Sequence, residues 1–107
     1  MYKLFAVFTL ALIVTLTACK KDDACSDVTY SQTIAPIIAA SCATAGCHDS
    51  GAAIGDFTTH AGIAAAANAG HVKHEVIDDK TMPPSGALSD LKQDQILCWI
   101  NAGAPND

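Results

Sequence analysis

Cys42 and Cys47 stand with four residues between them, and His48 follows the second cysteine directly. Two thiols at this spacing can close on each other as a disulfide. They can also add to unsaturated carbon as thioethers, or ligate a soft metal that the neighbouring imidazole also reaches. A zinc site built on Cys42, Cys47 and His48 lacks an evident fourth ligand at zinc-finger spacing. The next informative donor is Met82, which opens Met82-Pro83-Pro84. Its thioether suits a soft metal, and the competing reading is a flexible hydrophobe packed in a loop. His71 and His74 rival Met82 as donors, with His60 a weaker candidate. No Ser/His/Asp set and no paired carboxylates suggest hydrolysis. The Gly-rich stretch 50–56 has no lysine or strand–helix context for holding phosphate.

Three helices and one strap must position these groups. Residues 29–42 read as a helix running into the first cysteine, capped by Ser31 or Thr33. Pro36 is tolerable only near its first turn. Ile34, Ile37, Ile38 and Cys42 share one face at helical spacing. Gly46 helps the four-residue loop turn back toward Cys47. Thr58 or Thr59 can cap a second helix through Ala69, stopped by Gly70. That helix is mostly alanine, whose small side chains let a backbone approach a flat ligand closely; high helix propensity explains them equally well. Pro83 and Pro84 force residues 81–86 to be an extended strap. Ser89 can cap a last helix over 90–101, ended by Gly103 and Pro105, with Leu88, Leu91, Ile96, Trp99 and Ile100 as its apolar stripe.

The core these elements can build is thin. The chain has 107 residues, enough for one domain. After position 18 there remain 89 residues with 18 large apolar side chains, and only Tyr30, Phe57 and Trp99 are aromatic. Domains this small usually add disulfides, a metal or a cofactor. Arg is absent and the net charge is −5, which argues against a nucleic-acid partner.

Residues 1–18 combine a weakly basic start, an apolar run and small residues before Cys19. This is the layout of a secretory signal, and the run is short for a membrane span of about 20 residues. Leu16-Thr17-Ala18-Cys19 resembles the bacterial lipobox. The resemblance implies a signal peptide over 1–18, acylation of Cys19, a tether over 19–27 and a domain over 28–107. An uncleaved anchor and ordinary secretion are the competing readings. Loss of Lys3 with the leader takes the net charge to −6. Lys20 after the lipidated residue favours the outer membrane by the usual sorting rule for such lipoproteins. Lys21-Asp22-Asp23 is similar to cell-surface signals of some bacteria, and a linker without a message fits equally.

Cys42…Cys47-His48 resembles the attachment motif of c-type cytochromes, in which two thiols add to the haem vinyl groups and the adjacent histidine ligates the iron. Two residues usually separate the cysteines; four resemble the variants of some multihaem cytochromes. Met82-Pro83 resembles the distal-ligand strap of class I cytochromes c, and Trp99 to Asn106 is similar to the ending of haem-binding lipoproteins. The resemblance covers residues 25–106. It implies an all-α fold, a small cytochrome c-like bundle of about three to four helices wrapped around one covalent haem c. Cys42 and Cys47 would hold the haem, His48 would be proximal, and Met82 distal, with His71 and His74 as alternatives. If the first and last helices cross as the family implies, Cys25 and Cys98 can form a disulfide; otherwise each is free or bonded elsewhere. The implied function is electron transfer in the cell envelope, in the periplasm or at the surface, with a basic redox partner. A peroxidase would need the distal site open, against Met82. The competing reading is a haem-free surface lipoprotein, a binding module stapled by Cys42–Cys47 and Cys25–Cys98.

Overall fold

A computed structural model describes residues 22–107, and the expected signal peptide, Cys19 and the Lys20-Lys21 pair lie outside the described residues. The expected all-α class is observed: helices are joined by turns, and no strand occurs among the described residues. A short α1 (Asp22–Cys25) leads to a π-helical segment, π1 (Tyr30–Ile34), which continues as α2 (Ala35–Ser41). Next come α3 (His60–Asn68), a second π-helical segment π2 (Lys73–Asp78), and α4 (Asp90–Asn101). No helix among the described residues is long and apolar enough to cross a membrane.

The first helix differs from its sequence reading at its start. The cap is Thr29, whose hydroxyl accepts from Gln32 N at 3.2 Å, rather than Ser31 or Thr33. Pro36 has no N–H to donate to the preceding turn. There the backbone widens to five-residue spacing, with Ile34 N donating to Thr29 O and Ala35 N to Tyr30 O. The wider turn still delivers Ile34, Ile37 and Ile38 to the interior. Helix α3 starts at Thr59, which accepts from Gly62 N, and stops at Gly70 with φ +85°. Helix α4 has the Ser89 cap and the Gly103 stop that its sequence suggests.

Helix α4 packs against α1, π1 and π2. Ile96 and Trp99 enter the core with Ile34 and Ile63, and these four are fully buried. Leu91, expected on the apolar stripe, is 58% exposed. It sits in the first turn of α4, where Gln93 rather than Leu91 turns inward. Val72 and Val76 complete the interior from the π2 side. The chain end is clamped to this core. Trp99 Nε1 donates to Pro105 O, His60 Nε2 donates to Ala104 O, and Tyr30 N donates to the Asp107 carboxylate. His60 is thus a structural donor, edge-on to both Tyr30 and Trp99.

Cys25 and Cys98 are joined, with their Cα atoms 5.4 Å apart. The pair ties α1 to α4 across 73 residues of sequence.

Candidate functional site

A cavity of about 850 Å³ opens between α2, α3, π2 and the strap. That size falls in the range of small-molecule and cofactor sites, roughly 300–1,000 Å³. Its walls are mainly apolar. Ile38 comes from α2, Ile63 and Ala66 from α3, Val72 and Val76 from the π2 side, and Ile96 from α4. The small side chains of Gly62, Ala65 and Ala66 leave the wall formed by α3 low. Gly62 is required for a second reason: a Cβ there would stand 1.8 Å from Asp56 O, so α3 starts in backbone contact with the preceding loop.

Five of the sequence-derived donors line this one cavity: Cys42, Cys47, His48, Met82 and His71. The first three sit on a tight loop that begins where α2 ends. Ile38 O accepts from both Cys42 N and Ala43 N, and His48 N donates back to Cys42 O at 3.1 Å. The four-residue spacer is therefore closed on itself, with Gly46 at φ +80° making the reversal and its N–H held by Asp49. Cys42 and Cys47 are free, partly buried thiols. Burial pushes the Cys42 thiol above its ordinary range, and the nearby Cys47 adds to the rise.

The orientation of His48 is fixed from two sides. Its Nδ1 lies 2.9 Å from Gly55 O, and because a carbonyl only accepts, Nδ1 carries the proton. In the neutral ring Nε2 then keeps its lone pair for a metal, an arrangement typical of ligating histidines. Phe57 stacks on the ring at 4.0 Å between centroids and 9° between planes. Phe57 N also donates to His48 O, which closes the loop over residues 49–56. Gly55 has φ +118°, and a Cβ on it would press on Phe57 at 3.1 Å, so this acceptor position calls for glycine. Asp56 holds the loop by accepting from Gly51 N, Thr58 N and the Thr58 hydroxyl. Those bonds, the Thr58 hydroxyl first, lower its carboxyl below the usual range.

Met82 approaches on a non-helical strap that, rather than running extended as expected, bends at 82–83 and turns at 84–85. Thr81 N and Met82 N both donate to Glu75 O, at 2.8 and 3.1 Å. Pro83, joined to Met82 by a cis peptide, is buried, and Gly86 N donates to Pro83 O to turn the chain away. The two histidine alternatives separate. His71 also lines the cavity, although it is exposed. His74 does not line it; its Nε2 pairs with Asp79 at 3.1 Å on the surface.

Gly55, Phe57 and Glu75 were not singled out by the sequence as parts of the site. Gly55 sits in a glycine-rich stretch that carried no motif. Phe57 stood out only as one of three aromatics. Glu75 lies in a segment that was not assigned as helix. Among the described residues no cluster of three or more His, Cys, Asp or Glu forms a metal site of the protein-only kind. No family model, no curated protein and no solved structure matches the chain.

Proposed function

We propose that the chain is a membrane-tethered c-type cytochrome that carries single electrons through one covalent haem. One observation above all supports this reading: two thiols, an imidazole with its Nδ1 proton already committed, and a thioether line the same apolar cavity. Cys42 and Cys47 would hold the haem through thioethers, and His48 Nε2 and the Met82 sulfur would ligate its iron. The bound haem would supply one-electron exchange at its iron. The chain's own part is to bind, orient and keep water out. Gly55 O and Phe57 fix the imidazole plane, and the Ile38, Ile63 and Val76 side chains wall off solvent. A thioether opposite an imidazole, inside an apolar wall, favours the reduced iron and a high potential.

Location and partner belong to the same proposal. Acylation at Cys19 would tether the domain to the envelope, at the outer membrane on the sorting rule. The domain over 28–107 contains eight of the chain's 11 acidic residues and three of its six lysines, so it is itself anionic. A basic redox partner fits that surface, with salt-sensitive encounters.

The test is the pyridine haemochrome spectrum and intact mass of protein made together with cytochrome c maturation enzymes. A covalent haem, lost in Cys42→Ser/Cys47→Ser and detected by in-gel haem staining, is expected. A mass four hydrogens below that of the fully reduced chain, with no haem, would instead support the haem-free stapled module, with Cys42 bonded to Cys47 in addition to the Cys25–Cys98 bond.

A further inference from the structure

Met82 is the more loosely held of the two iron donors named above, and what holds it is unusual. The strap receives no helix and no strand. Its main chain hangs from a single acceptor, Glu75 O, which takes both Thr81 N and Met82 N. The same two residues are joined a second time through their side chains, because the Thr81 hydroxyl donates to the Glu75 carboxylate. Glu75 stands next to the buried Val76, so the acceptor side of this clasp is fixed to the core. Among the described residues, Glu75 is also the one carboxylate that lines the cavity.

We propose that the Thr81–Glu75 side-chain clasp is a positioning device that presents the Met82 thioether to the iron, a proposal that rests on the haem reading. Two backbone bonds to one carbonyl fix a point and leave rotation about it. The hydroxyl–carboxylate bond lies off that point and removes the rotation. Without it, the strap spends more time with Met82 withdrawn. A withdrawn Met82 leaves the distal position open to a competing ligand, whose apparent affinity scales with the open fraction.

The experiment uses the ferric holoprotein, with imidazole as the competing ligand and the near-infrared sulfur-to-iron band as the signature of bound Met82. Loss of a hydrogen bond to a carboxylate at a partly exposed site should raise the open fraction roughly three- to tenfold. Thr81→Val is therefore expected to tighten imidazole binding by that factor and to weaken the band. Thr81→Ser, which keeps the hydroxyl, should restore both. Thr81→Val/Glu75→Gln should behave as Thr81→Val alone, since the two residues act as one unit. A Thr81→Val protein with unchanged band and imidazole affinity overturns the clasp, whatever happens to its melting temperature. So does a Thr81→Ser protein that matches Thr81→Val. If the double variant regains the band, Glu75 competes for the iron and positioning is overturned. Covalent haem without the band in the parent protein refutes Met82 as ligand and the clasp with it. Absence of haem refutes the parent reading itself.

Discussion

The two segments that bring donors to the cavity are held in opposite ways. The loop over residues 42–57 is closed at several points. His48 N returns to Cys42 O, Phe57 N to His48 O, and the imidazole itself to Gly55 O. The hydrogen bonds that tie the strap over residues 81–86 to the rest of the fold all go to Glu75, its carbonyl and its carboxylate, with the buried Pro83 beside them. Local opening free energy follows the number and burial of such bonds. The imidazole is thus preorganised before any ligand arrives, while the thioether is presented by a segment that can yield. On the proposed function, the distal side gives way first under heat or a competing ligand, and the proximal side sets the register of the haem.

The comparison can be broken from outside both segments. Removing the Cys25–Cys98 bond touches neither donor segment, yet it releases α1 from α4. Cys25→Ser/Cys98→Ser should cost about 2–5 kcal/mol of stability in denaturant titration. Both segments should keep their geometry, read as an unchanged band position in the holoprotein. A shift of that band would mean the strap borrows its order from the staple. A smaller effect tests the loop directly. Gly55→Ala demands φ +118° of a residue with a Cβ and crowds Phe57. It should cost about 1–3 kcal/mol and loosen the His48 ring. Lowered stability with an unchanged reduction potential would show that Gly55 O does not tune the imidazole. The smallest effect is expected from pH. Burial raises the Cys42 thiol in the folded chain, so the folded state holds this proton more tightly than the unfolded one. Its contribution is complete below the ordinary thiol range and is lost as pH rises through the raised value. Haem-free protein should therefore lose more melting temperature between neutral and alkaline pH than its Cys42→Ser variant. Parallel curves for the two would remove Cys42 from the explanation.

What the sequence made legible follows the same divide. Periodicity and capping chemistry are local, so α3 and α4 could be read from Thr59, Ser89, Gly70 and Gly103. The donors were legible because Cys, His and Met are recognisable by type. The supports were not. Gly55 and Phe57 matter through contacts made when the loop folds back on His48, and nothing in their order announces that return. The segment π2 is hard to read because Val72 and Val76 form only a single buried pair at helical spacing and no side chain caps its start. Leu91 fits the stripe of α4 by spacing, but in the first turn it is Gln93 that faces the interior while Leu91 faces out. His71 and His74 are three residues apart in sequence, and only the fold separates the one that lines the cavity from the one paired with Asp79.

The staple between α1 and α4 also sets a leash. Cys25 is six residues beyond Cys19, and an extended chain of that length reaches roughly 20 Å. With Cys25 bonded to Cys98, a chain acylated at Cys19 would be moored by its last helix, close to the bilayer. Without the bond, the mooring point would slide toward Tyr30 and Ile34, where the core first takes hold of the chain. A reducible bond outside the cavity lining would then decide how far the domain can swing toward a partner, and which of its faces it can offer.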